Sequence, residues 1–193
     1  MNRLSLRRIA LNWLKPMGYS EKILMDRQPL QPLHHLNQAS KKTLIARYAQ
    51  PRPLETLNYA TVRDFCDSAD HLPEICKLNG DLKNVQRPWV IKTILSQVPL
   101  GGKLLEIGGG EPIICGILAE LGYQVTLVDP YEGAGNGPTE YALYRQQYPH
   151  VKIIKDLFSP DLSGIDPASF DCIFSNSVLE HIHGETHQCI YEG

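Results

Sequence analysis

No apolar run in the chain approaches the ~18–20 residues needed to cross a bilayer, which excludes a membrane-spanning helix. Cysteines are few and unpaired in pattern: Cys66, Cys76, Cys115, Cys172 and Cys189 are an odd number, and no two form a CxxC step. They read as reduced thiols. A secretory leader is also missing, because the stretch from Ile9 to Leu14 is interrupted by Asn12 and followed by Lys15 and Pro16. Both absences point to a cytoplasmic protein. Aromatic residues make up only 8% and do not recur at base-stacking intervals, so nucleic acid is not expected as a partner. There is no internal repeat and no low-complexity tract. What remains is a chain of 193 residues with 42% hydrophobic and 21% charged residues. That is enough for one domain, or one plus an appendage, which needs no metal or disulfide staple to be stable.

The net charge of −2 hides an asymmetry. Residues 1–60 carry ten Lys and Arg against three acids, a net of +7, whereas the rest of the chain nets −9. A basic arm on an acidic body can recruit an anion. These cations are scattered rather than clustered, however, and the simpler expectation is that the arm covers the body's own acidic face. Pro29, Pro32, Pro51 and Pro53 break up the first part of the chain, leaving room for short helices at 4–14, 39–49 and 61–69. A longer helix is predicted over 88–98. Pro88 would sit in its first turn, with Trp89, Ile91, Ile94, Leu95 and Val98 near one face. The chain thus divides into a basic, irregular or helical segment, 1–87, and a regular core, 88–193.

From Pro99 onward short apolar strands alternate with helices. Strands are predicted at 103–107, 124–128, 151–154 and 170–174, with helices at 112–121 and 138–147 and another starting near Ser177. Alternation of this kind builds βαβ units, so the expected fold is α/β, a partial Rossmann-like parallel sheet with flanking helices.

The first strand runs into Glu106-Ile107-Gly108-Gly109-Gly110-Glu111-Pro112. A glycine turn between a strand and a helix start is where open α/β sheets bind nucleotides, although a tight connection needs glycine in any case. A dinucleotide fingerprint would need a glycine at position 113, which is Ile113, and no Walker lysine follows Gly116. Phosphate cradling is therefore disfavoured. Glu106 ends the strand where a nicotinamide-binding strand usually has an apolar residue. A buried carboxylate there suits a cationic ligand, or fixes the amides of the glycine loop.

With this motif the second half resembles the class I S-adenosylmethionine-dependent methyltransferases. Gly108 and Gly110 match the alternate glycines of the family, Gly109 lies between them, and Pro112 stands in the third place. The resemblance implies S-adenosyl-L-methionine as cofactor, with Glu106 and the three glycines at its methionine end. Asp129, with Pro130 beside it, would take the ribose hydroxyls, 23 positions after Glu106. Asp156 would accept from the adenine amino group, and Leu157 or Phe158 could cover the ring. The stretch from Phe170 to His181 resembles the family's fourth-strand motif, with Ser175 and Asn176 at the carboxyl end of the strand and Leu179-Glu180-His181 at the next helix start. His181 is a candidate general base.

The resemblance extends from about Pro88 to Glu192, and the family fold has seven strands where four are legible here. The fourth strand is then expected to be an open edge, prone to self-association, and the chain to be a fragment or to need a partner. The resemblance implies methyl transfer to an unidentified, small-molecule acceptor. A catalytically silent cofactor-binding or interaction protein is the alternative, with a nicotinamide-dependent oxidoreductase third. Glu180, His181, His183, Glu185, His187 and Cys189 crowd one short stretch, and His183 with His187 have a spacing that suits zinc. The usual Asp-His continuation of metallohydrolases is missing, and these histidines read as solvated, with no metal expected.

Overall fold

The computed structural model describes residues 35–54, 61–72, 75, 83–133 and 137–178. The chain divides into two compact units, Met1–Gln31 and Pro32–Gly193, and all described residues belong to the second. The helix expected at 4–14, the one expected to start near Ser177, and His181, His183, His187 and Cys189 lie outside the described residues, apart from the opening at 177–178.

The elements run α1 (Gln38–Tyr48), α2 (Val62–His71), α3 (Lys83–Gln97), β1 (Lys103–Ile107), α4 (Ile113–Glu120), β2 (Gln124–Val128), α5 (Tyr141–Gln147), β3 (Val151–Ile154) and β4 (Cys172–Phe174). The four strands form one sheet in the order β3-β2-β1-β4, and every pairing is parallel. This is the α/β sheet that the alternation of strands and helices implied. Because β1 and β2 are covered on both faces, they read as nearly continuous apolar runs, with four of five positions buried in each. Among the described residues β4 is paired on one side only, to β1, and Ile173 on it is 53% exposed.

Strand periodicity sorts the core into two layers. Leu104, Val125, Leu127, Val151 and Ile153 face a large cluster built with the helices, whereas Leu105, Ile107 and Val128 join Leu162 in a smaller one. Glu106 alternates onto the helical face, the same face as Leu104. Residues that precede the alternating strands and helices also enter the large cluster: Leu36, Leu44, Tyr48, Leu72 and Ile75 pack with Ile91, Ile94 and Leu95 of α3. Among the described residues no helix is long and apolar enough to cross a membrane.

Three elements start two residues or more from the expected positions. The helix expected to open at Pro88 begins at Lys83, so Pro88 is interior and buried. The proline removes one i→i−4 bond, but the buried stripe already includes Val85 and continues through Ile91 and Ile94, so burial carries the helix past it. The helix expected at 138 begins at Tyr141, because Pro138 is held as loop wall against Gly110, where an added Cβ would meet the proline ring at 3.1 Å. The strand expected from Phe170 begins at Cys172. Phe170 packs into the smaller cluster, and Asp171 clamps the start of β1, its N–H donating to the Lys103 carbonyl and its carboxylate accepting from the Lys103 N–H, both at 2.8 Å.

The entry of the described chain is anchored at the far end of α4. Leu36, only 2% exposed, donates its backbone N–H to Glu120 Oε2 at 2.9 Å, and the His35 ring meets Glu120 Oε1. The exposed histidine contributes little, whereas a buried N–H left without an acceptor is costly. Glu120→Ala is expected to lower unfolding stability by about 1–3 kcal/mol, with Glu120→Gln retaining most of it. Urea titration of the two variants measures this.

Candidate functional site

The site is built where β1 and β2 end side by side. Gly108 closes onto β2 by donating its N–H to the Val128 carbonyl at 2.8 Å. It takes a left-handed φ of +72°, and a Cβ there would lie 2.5 Å from Val178 Cγ1, so only glycine fits. Gly109 has no such φ but lies against the Glu106 carboxyl, whose Cδ an added Cβ would meet at 2.6 Å. The turn is therefore shaped by close approach of the backbone to an acid beneath it.

Asp129 follows β2 and is half-buried. Its Oδ2 accepts the Gly110 N–H at 2.9 Å and its Oδ1 the Tyr131 N–H at 2.7 Å. Tyr131, across half-buried Pro130, adopts a left-handed φ of 52° and donates its buried hydroxyl to the Gly110 carbonyl at 2.8 Å. Three residues thus form a closed hydrogen-bonded loop that fixes the glycine turn and the acid in one geometry. Burial raises the Asp129 carboxyl above its usual value, and the two backbone donors oppose that rise.

Glu106 is the most enclosed charge of the site, 2% exposed. Burial pushes its carboxyl up to about 7, against the Cys115 thiol that donates to Oε2 at 2.8 Å, the Arg87 guanidinium and the Lys83 ammonium, while Asp129 adds to the rise. Glu106, Gly109 and Asn176 line a cleft with Lys83, Arg87 and Glu111. Its volume is about 40 Å³, far below the ~300–1,000 Å³ of a whole ligand pocket, so it is a polar floor. Glu111 Oε1 is buried there with no hydrogen-bond partner among the described residues, and burial raises that carboxyl too.

Ser175 Oγ donates to the Ile107 carbonyl at 3.0 Å, which ties the end of β4 to the end of β1. On the other side of β2, Asp156 is exposed and accepts the Leu157 N–H at 2.8 Å, while Leu157 is 55% exposed. Phe158 packs into the smaller core cluster instead of standing free to cover a ring. Among the described residues no hydrogen bond joins Asp156 or Leu157 to the glycine turn. Among the described residues no three metal-ligating side chains converge.

A family model described as a methyltransferase domain matches residues 81–187, more than half of the chain. The chain belongs to the methyltransferase-domain family. No curated protein and no solved structure matches it. The match takes in α3, and so includes Lys83 and Arg87, which lie ahead of the helix expected from Pro88 and carry no role in the sequence pattern. Their i, i+4 spacing puts both cations on one helical face, a signal that could have found them. Cys115 and Tyr131 were also missed as site residues, since a thiol in an apolar helix and a tyrosine after Asp-Pro carry no distinctive spacing.

In this methyltransferase the buried acid opposes stability. The Glu106 carboxyl lies near 4.5 when unfolded and near 7 when folded, so the native state holds the extra proton. Its contribution to stability is complete below about 4.5 and is lost as the pH rises through 7. Glu106→Gln is therefore expected to gain stability over the wild type across that window, reaching on the order of 3 kcal/mol and staying level above it. Thermal unfolding at pH 5 and pH 8 checks both the sign and the window.

Proposed function

We propose that the site binds S-adenosyl-L-methionine and that the enzyme transfers its methyl group to a small-molecule acceptor. The observation that carries this reading is the cleft under the glycine turn. Two carboxylates, Glu106 and Glu111, and two cations, Lys83 and Arg87, surround one small volume. That charge set complements a zwitterionic amino-acid end, with an ammonium facing the acids and a carboxylate facing Arg87 and Lys83. A diphosphate would instead put negative charge against two acids, one of them buried, and Ile113, 3% exposed in the core, occupies the place of a third dinucleotide glycine.

The residues present fit the cofactor in other respects. Asp129 Oδ1 and Oδ2 each hold one backbone donor, which leaves lone pairs for ribose hydroxyls, and Pro130 borders the same position. Asp156 and exposed Leu157 would take the adenine end, and Ser175 and Asn176 would border the methionine end toward the acceptor. Gly108, Gly109 and Gly110 let the backbone approach closely. The cofactor supplies a sulfonium-bound methyl group that is already activated toward nucleophiles. The protein's part is to hold donor and acceptor in line at short range, with water excluded, which converts an encounter into an oriented collision. His181 is the proposed base for the acceptor's proton. The free cysteines among the described residues, Cys66, Cys115 and Cys172, accord with a reducing, cytoplasmic setting.

Calorimetric titration with S-adenosylhomocysteine, with NAD as the competing ligand, tests the reading. Saturable binding of the first and none of the second is expected. Asp129→Ala is expected to weaken that binding by about 1.5–3 kcal/mol, the scale of hydrogen bonds to a charged group. Unchanged affinity in a folded variant would remove Asp129 from the ribose role.

A further inference from the structure

Cys115 is a fully buried thiol on α4, a helix in which Ile113, Ile114, Ile117 and Leu118 are buried as well. Its Sγ lies 2.8 Å from Glu106 Oε2. The same oxygen faces Gly109, where an added Cβ would come within 2.7 Å of it. Oε2 is thus enclosed between a thiol and a glycine backbone, and Oε1 is the oxygen left to meet the cleft that Glu106 lines.

We propose that Cys115 is a positioning residue for cofactor recognition: its thiol holds Glu106 Oε2 so that Oε1 is presented to the cleft as an ionised acceptor for the ligand's ammonium. This rests on the reading of the cleft as the amino-acid end of the cofactor site. Lys83 and Arg87 on α3 favour the ionised form of Glu106 and Asp129 after β2 opposes it, while Glu111 before α4 lines the same cleft; β4 brings only Phe174, with Asn176 just beyond it, and both are uncharged. Burial outweighs these charges and disfavours the anion, and the thiol's hydrogen bond is the largest of the influences that restore it. A thiol suits the position because it packs as a small hydrophobe and still donates. Burial and the neighbouring acid hold the Cys115 thiol well above its ordinary value, so it stays protonated and able to donate.

The test is S-adenosylhomocysteine affinity from pH 6 to pH 8.5 for the wild type, Cys115→Ala and Cys115→Ser. Loss of the donor moves the ionisation of Glu106 to higher pH by about one unit, so Cys115→Ala is expected to bind about tenfold more weakly at pH 6 and within about twofold at pH 8.5. Cys115→Ser, which keeps a donor, should stay close to the wild-type profile. A packing role alone would weaken both variants by a factor independent of pH, with serine no better than alanine, and would overturn the proposal. Binding unaffected by Cys115→Ala would overturn it while leaving the cofactor reading intact. No binding by the wild type would overturn both. The infrared S–H stretch of Cys115, isolated as the difference between wild type and Cys115→Ser, gives a readout on the unliganded protein. It should lie at a hydrogen-bonded position and shift in Glu106→Gln; an unperturbed band would overturn the pair.

Discussion

A carboxylate buried at the end of the central strand is the constraint around which the rest of the site is arranged. Moving an acid out of water is expensive, and strand geometry turns Glu106 toward the helical layer, where it is almost wholly enclosed. The compensation comes from every side. Cys115 donates from α4, Arg87 and Lys83 approach from α3, and Gly109 omits a side chain so that backbone can lie over the carboxyl. Protonation near neutrality is the residual of that contest. A fold without a ligand to receive would gain by placing an apolar residue here, as the neighbouring positions Leu104, Leu105 and Ile107 do.

The cations that act on Glu106 stand on a helix that also packs against the helices ahead of it. Ile91, Ile94 and Leu95 of α3 share one cluster with Leu44 and Tyr48 of α1 and with Leu72 and Ile75. Tyr48 itself has Arg47, Arg52 and Lys92 over its ring at 5.8, 5.6 and 5.1 Å. The helices ahead of the sheet therefore set where α3 lies, and α3 sets where charge reaches the cleft. This links a part of the chain with no chemical motif of its own to the electrostatics of the site.

Much of the sheet was legible in sequence because its signals are local. Strands at 103–107, 124–128 and 151–154 end where Gly108, Asp129-Pro130 and Lys155-Asp156 end the apolar run, and their parallel order follows from the helices between them. The misplaced start of α3 shows the limit of a local rule. Pro88 signals a first turn, yet a buried stripe that includes Val85 outweighs one missing hydrogen bond. Glu106 and Asp129 could be singled out because an acid at a strand end is unusual. Cys115 and Tyr131 could not, since each gains its role from a partner that no local pattern announces: the Glu106 carboxyl for one, the Gly110 carbonyl for the other.

Tyr131 gives the glycine turn a property beyond its shape. Its left-handed backbone, its N–H on Asp129 and its hydroxyl on Gly110 close a ring of contacts that is complete before any ligand arrives. The conformational entropy of the turn has thus been surrendered during folding, and little order remains to be imposed by an incoming molecule. Association at this turn should then have the thermodynamics of docking onto a rigid surface, governed by the water displaced from Asp129 and not by the freezing of a loop.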